Sequence, residues 1–499
     1  MTASATTTMT ASRPSVRFLG DELVQRIVEE ARDLLCTLGV EIHNPGVLDL
    51  LADHGARVDR PTTRAVLTGG ILDQALGTVA HGFRLYDTRG GTSHDLSGDR
   101  LHFTPGSAAI AILDHDAHAT RPPITADYVR YAKVAAQLGH IDFQSTAIVP
   151  SDVHRNISDS YRLFLNLLYG EKPCITGAFT IDAVNVMRDL QVTVRGSAEE
   201  LQRKPLAVFS CCPTAPLKWS DVTSQNVVDC ARHGIPVEYV SMPLIGFVAP
   251  VTLVGSLVQH TAETLSGIVI TQLTSPGAPA LYGGSPAVFD IRYETTPMGA
   301  VETMMIECAY AEIGRHLGLP TQAYMALSDA KLLDAQAGLE TSMGATLAAL
   351  AGINSVSGPG MLDFESCMSL EKLVLDNEIC GMVKRLSRGI EPREDFPALP
   401  RFEELLREKH LLIADHTRRY LKQEIFFPGA AIDRANRARW QAEGSRTLGE
   451  RAHAEVERLL TRYQPSSLPD DVKAELTRLM RREARRYGMD HLPHERLVR

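Results

Sequence analysis

Residues 319–379 read LPTQAYMALSDAKLLDAQAGLETSMGATLAALAGINSVSGPGMLDFESCMSLEKLVLDNEI. The stretch holds two short apolar strands, one ending at Ser328-Asp329 and one at Ser357-Gly358-Pro359-Gly360. A helix-length segment follows each. Polar and glycine-rich turns therefore fall at the carboxyl ends of strands, which in a barrel of parallel strands is the edge where chemistry is assembled.

Working outward, the same alternation of strand and helix extends back to about residue 100. Strands are expected near 101–108, 141–149, 173–179, 205–212, 236–243, 279–285, 321–328 and 353–358, with amphipathic helical segments between them. Several are announced by one device: a Gly that ends the preceding helix, then a Pro entering the strand, as in GIP, GAP and GLP. Eight such units make an α/β fold of the (β/α)8 TIM-barrel type the economical expectation for residues 100–388. No G-x-G-x-x-G follows the first strand, which counts against an open dinucleotide-binding sheet. Around the barrel, residues 1–16 read as a disordered leader and 17–99 as an N-terminal helical region. Residues 389–499 read as a charge-dense C-terminal helical extension whose Arg481-Arg482 and Arg485-Arg486 belong to a solvated face.

Composition narrows the function classes. Of 499 residues, 44% are hydrophobic and 22% charged, enough for a large core. The net charge of −9 argues against nucleic acid or an anionic membrane surface as partner. Eight cysteines occur without a C-x-x-C pair, which suits reduced, buried thiols in a cytoplasmic protein. No charge-free span long enough for a membrane is present in the sequence. The seventeen histidines form no H-x-H or H-E-x-x-H, so no metal held by this chain is expected. His260 and Glu263, three apart on one helix, are expected to bond to the neighbouring strands.

Candidate ligand contacts gather at the strand ends. Thr104, Gly106 and Ser107 close the first strand, Thr176 and Gly177 the third, and Cys211-Cys212-Pro213 the fourth. Tyr282-Gly283-Gly284-Ser285 follows the sixth, Ser328-Asp329 with Lys331 the seventh, and Gly358, Pro359, Gly360 and then Glu365 the eighth. Glycines there admit a ligand close to the backbone. Among strand aromatics, Phe179, Tyr239 and above all Tyr282 are candidates for a cage around a cation, since a ring face attracts quaternary ammonium.

Several segments resemble, in order, the trimethylamine methyltransferase superfamily of corrinoid-dependent methyltransferases. They are PLIGFVAPVTLVGSLVQHTAE, PALYGGSPAVFDIRYETTPMGAVE, SDAKLLDAQAGLE, SGPGMLDFESCMSLEKLVLDNE, DHTRRYLKQEIFFP and LPDDVKAEL. The resemblance implies a (β/α)8 barrel whose mouth receives a methylated amine and a corrinoid (cobalamin) carried by a separate corrinoid-binding protein. The archaeal trimethylamine enzymes carry pyrrolysine, which this chain lacks; Pro359 is taken as the replaced position. That departure makes the chain resemble the non-pyrrolysine members, which demethylate quaternary amines such as glycine betaine. A betaine carboxylate would then take donors from Lys331 and the glycine loops, with Asp329 offsetting the ammonium or orienting Lys331. A barrel lyase or decarboxylase, or a catalytically degenerate betaine-binding paralogue, are the alternatives, and a homo-oligomer is expected.

Overall fold

A computed structural model describes residues 13–497. Most of the expected leader lies outside them, but residues 13–16 are held in place. Val16 N donates to Leu350 O at 3.0 Å, and Arg13 donates to Ala349 O at 2.9 Å.

All eight expected strands form: His102–Thr104, Gln144–Ser145, Cys174–Thr176, Ala207–Cys211, Val237–Tyr239, Ala280–Leu281, Gln322–Tyr324 and Ser355–Ser357. They are called the first to eighth core strands. The second to sixth pair in sequence as a five-stranded parallel sheet, and the seventh, eighth and first as a three-stranded one. The pairing gives a mixed α/β fold with two parallel sheets, and among the described residues no regular ladder closes them into the expected barrel. Their seams hold isolated parallel bridges, Tyr282 to Thr321 and Ala109 to Ile148, with bonds such as those from Asp142 and Phe143 N to Phe103 O at 2.8 and 3.2 Å. Strands this short have no spare length for a regular ladder at the seams, and the sixth runs at once into Gly283-Gly284.

The Gly-x-Pro device has a physical basis. Gly234, Gly277 and Gly318 stand at φ 66, 85 and 73°, a left-handed turn that glycine adopts without steric cost. Each following proline then enters the ladder through its carbonyl alone. Pro236 O accepts Phe209 N at 2.9 Å, Pro279 O accepts Val237 N at 3.2 Å, and Pro320 O accepts Tyr282 N at 2.8 Å. The missing N–H falls at the strand entrance, where the ladder does not need it.

On the face turned away from the helices, Phe143, Ile175, Val208 and Leu281 fill the amino-terminal half of the strands. Leu85 and Leu96, from the hairpin Phe83–Tyr86/Ser93–Leu96, close this cluster from below. Burying each such side chain contributes about 1.5–3 kcal/mol. The N-terminal region is thus not purely helical. Besides the helices Asp21–Thr37, Pro45–Asp53 and Gly69–Thr78, it contributes this plugging hairpin and the strands Val40–Ile42, Arg57–Asp59 and Arg64–Val66.

In the C-terminal extension, helix Leu448–Arg462 packs on Leu370–Ser387, and Asp470–Arg485 packs on Ser158–Tyr169 and Ala183–Arg195. Helices Leu399–Glu408 and Asp415–Glu424 bury none of their side chains. The terminal arginines are partly paired, Arg481 with Glu495 at 2.5 Å and Arg486 with Glu483 at 2.9 Å. No described helix is long and apolar enough to cross a membrane.

Candidate functional site

Strand alternation decides what faces inward. In the fourth strand Val208 belongs to the inner apolar plug, so Ser210 continues on the same face one step nearer the carboxyl end. In the fifth, Tyr239 turns outward, its hydroxyl donating to Gly267 O at 2.9 Å in helix Leu253–Thr274. Glu238 therefore points inward. Its Oε1 accepts the Ser210 hydroxyl at 2.6 Å, and its Oε2 has no partner. Gln322 of the seventh strand is fully buried with both Oε1 and Nε2 unpartnered. A Cβ on Gly283 would lie 2.4 Å from Gln322 Oε1 and 2.9 Å from Tyr239 O, so only glycine lets the chain pass there.

Above this floor stand Tyr324, Ser107 and Glu365. The Tyr324 and Ser107 hydroxyls are 3.5 Å apart, and Ser107 N donates to Glu365 Oε1 at 3.2 Å. Glu365 comes from the tip of the hairpin Met361–Leu362/Cys367–Met368. There Asp363, Phe364 and Glu365 hold φ of 50, 56 and 68° in succession. Left-handed backbone costs a non-glycine residue on the order of 1–3 kcal/mol and tends to cluster at functional sites. Here the strained tip sets the Glu365 carboxyl over the chamber.

The arrangement is a polar cluster, the chamber, buried at Glu238, Gln322 and Tyr324 and partly accessible at Ser107, Ser210, Cys212 and Glu365. Burial pushes the Glu238 carboxyl up to about 7, with Ser210 opposing. Burial also pushes Glu365 up to about 8, opposed by Ser107 N and reinforced by Glu238. Neither carboxylate has an ion-pair partner among the described residues. Burial raises the Cys212 thiol to about 12, which makes it a poor nucleophile. Burial favours the neutral form of both carboxyls, and a cationic guest is the partner that would favour their ionised form.

The expected site residues divide accordingly. Glu365 is in the chamber. Tyr282 and Tyr239 are not: their rings lie in the layer between strands and helices, Tyr282 donating to Thr261 Oγ1 at 2.9 Å. The inward positions beside them belong to Gly283 and Glu238, so the expected cage walls are corrected to an acid and a bare backbone. Phe179 is exposed at the mouth, with the Arg162 guanidinium 5.2 Å from its ring centroid. Asp329 accepts Met298 N and Gly299 N at 2.9 and 2.8 Å, and pins the loop after the sixth strand. Burial, opposed by Gly299 N, raises its carboxyl to about 6. Lys331 pairs with Asp363 at 3.0 Å and lies 3.8 Å over the Phe364 ring. It meets Asp329 only through a 2.7 Å bond to that residue's carbonyl.

The Gly358-Pro359-Gly360 loop is braced from behind. Pro359 O accepts Gly106 N at 3.2 Å. Gly360 N donates at 2.7 Å to Asp376 Oδ2, which is itself paired at 2.5 Å with Lys372. Both charged residues are wholly buried.

Sequence reasoning missed Glu238 and Gln322. The available signal was a lone acid, and a lone amide, at the inward phase of strands otherwise apolar and buried. His260 does reach a strand, its Nε2 lying 3.0 Å from Gly283 O, and Glu263 accepts from Ser241 Oγ at 2.6 Å and Leu217 N at 3.0 Å. Two groups with metal-ligand chemistry were also not foreseen: His94, His102 and Asp142, and His115, Glu371 and His453. Neither belongs to the chamber. Lys384 already bonds both Asp142 oxygens, and His453 Nδ1 lies 2.9 Å from Glu371.

Comparisons with known proteins bear on family and fold. A family model described as trimethylamine methyltransferase (MTTB) matches residues 1–488. The trimethylamine methyltransferase MttB of Methanosarcina barkeri is 31% identical over 463 residues, covering 91% of this chain and 92% of that protein. A glycine betaine methyltransferase of Desulfitobacterium hafniense is 27% identical over 477 residues, covering 95% and 98%. Among solved structures, the Methanosarcina barkeri monomethylamine methyltransferase (MtmB) shares the fold, with a TM-score of 0.51, 12% identity and coverage of 95% and 89%.

Proposed function

The chain belongs to the trimethylamine methyltransferase (MTTB) family, and on that footing we propose that it passes a methyl group from a quaternary amine to the corrinoid of a separate protein. The observation that carries this reading is the buried Glu238 carboxyl at the chamber floor, its Oε2 without a partner and without an ion pair among the described residues, with Glu365 above it. Two carboxyls in a low-dielectric pocket hold an onium group far more strongly than they would in water. The two sheets then work together as a (β/α)8-type barrel with its mouth at the strands' carboxyl ends. The glycine betaine methyltransferase among the relatives supports a quaternary substrate.

A quaternary ammonium already carries the charge that activates its methyl group, and the departing tertiary amine is neutral. No general acid and no covalent adduct are needed, which fits a chamber without an activated nucleophile. A cobalt(I) corrinoid, when brought by its carrier protein, would supply the nucleophile for the methyl carbon. The residues' task is to hold the cation, exclude water and turn one methyl outward. The rim suits a protein-borne macrocycle. Ile110, Phe179, Phe247, Val251, Ile291 and Tyr293, from loops after the first, third, fifth and sixth strands, leave large apolar surfaces exposed.

The test is to mix the purified chain with cob(I)alamin and a panel of quaternary amines, and to follow methylcobalamin by its visible spectrum. Methylcobalamin and one equivalent of tertiary amine are expected. Amine binding without methyl transfer would point to a binding paralogue, and amine breakdown without methylcobalamin to a lyase.

A further inference from the structure

We propose that the chamber selects a net monocation carrying a neutral hydroxyl arm, a choline-like onium, and rejects betaine-type zwitterions. The inference rests on reading the chamber as the methyl-donor site and goes beyond it to the substrate's charge.

A betaine brings a carboxylate one or a few carbons from its nitrogen, and that group is held best by a cation. The cations nearest the chamber are already engaged. Arg162 bonds Asp159 Oδ1 at 3.2 Å and Thr146 O at 2.9 Å, and lies over the Phe179 ring. Lys331 is committed to Asp363 and the Phe364 face, and Lys372 to Asp376 behind the glycine loop. Three loop amides beside the chamber are taken as well. Gly106 N donates to Pro359 O, Ser107 N to Glu365 and Gly360 N to Asp376. A substrate carboxylate would instead face Glu238 and Glu365 in a poorly screened interior, where like charges repel most.

The same floor offers something to a neutral arm. Gln322 presents a buried donor and a buried acceptor, both unpartnered. Leaving such groups unsatisfied is costly, and a hydroxyl satisfies both at once. Charge selection comes from Glu238, and the preference for a hydroxyl from Gln322.

The full-length chain is titrated calorimetrically with choline, tetramethylammonium, glycine betaine and carnitine at pH 8, without corrinoid. Choline and tetramethylammonium are expected to bind, and the two zwitterions at least about 30-fold more weakly, as an unpaired charge in the site demands. E238Q should weaken choline about 100-fold, with E365Q as a second variant in case E238Q does not fold. Q322A should lower choline affinity about tenfold more than tetramethylammonium affinity. Glycine betaine binding as tightly as choline would overturn the charge selection while leaving methyl donation intact. Equal loss of both cations in Q322A would overturn the role of the hydroxyl. If none of the four compounds bound, the methyl-donor reading would fall with it.

Discussion

The two ends of the same parallel strands are built to opposite rules. Towards the amino ends, Phe143, Ile175, Val208 and Leu281 pack with Leu85 and Leu96 into an apolar cluster bordered by the His94 and His102 rings. A few residues further along, the same inward face carries Glu238 and Gln322, buried with partners missing. The lower end stabilises the fold. The upper end holds desolvated carboxyls that the fold would be more stable without, the usual signature of a site kept for a ligand.

The sharpest way to break the contrast is E238Q. It should reduce methyl transfer by about 100-fold or more, because it removes the preorganised charge. Its thermal stability should match or exceed that of the parent, since a buried carboxylate is replaced by a neutral amide; a large drop in melting temperature would contradict the assignment. Behind the mouth, Asp376→Ala should cost about 3–5 kcal/mol in denaturant unfolding by stranding the buried Lys372 ammonium. At the plug, Leu85→Ala in the basal hairpin should cost about 3 kcal/mol through the cavity it leaves. Its ligand affinity should stay within about twofold, because the hairpin lies apart from the strand positions that carry Glu238 and Gln322. If affinity collapsed instead, the two ends would not be separable.

Acidity sharpens the comparison further. The carboxyls of Glu238 and Glu365 lie near 7 and 8, against about 4.3 for an exposed glutamate. Between those limits the folded chain binds more protons than the unfolded one. These two groups therefore stabilise the ligand-free protein at the acid side and lose that contribution as pH rises to about 8. Affinity for a cation should run the other way, rising over the same range with release of protons. Melting curves from pH 5 to 9, with and without choline, would show the gap widening with pH, and E238Q would narrow it. The smallest effect expected is at the rim, where Lys331→Met should change stability by less than about 1 kcal/mol, because its pairing is largely exposed.

The alternation of elements was legible because it is written in local chemistry: Gly-x-Pro marks where a helix must stop and a strand may begin. The pairing between sheets was not, since closure depends on long-range geometry at seams such as Tyr282–Thr321 that no local pattern encodes. The site was half legible. Glu365 stood out beside a glycine turn, whereas Tyr282 and Tyr239 misled because aromatic type says nothing about strand phase. Phase could have been set by aligning Val208, Leu281 and Glu238 as inward positions, but only once the neighbouring strands were known to be in register. Gly283 shows the same limit, its role being to make room for Gln322 some forty positions away.

The hairpin at Phe83–Tyr86 and Ser93–Leu96 carries a consequence for traffic. On the proposed function, a room stoppered at its base would leave one doorway, so an amine would have to be inside before a large partner settled on the threshold, and its demethylated remnant would stay captive until that visitor left. Order of arrival and departure would then follow from architecture.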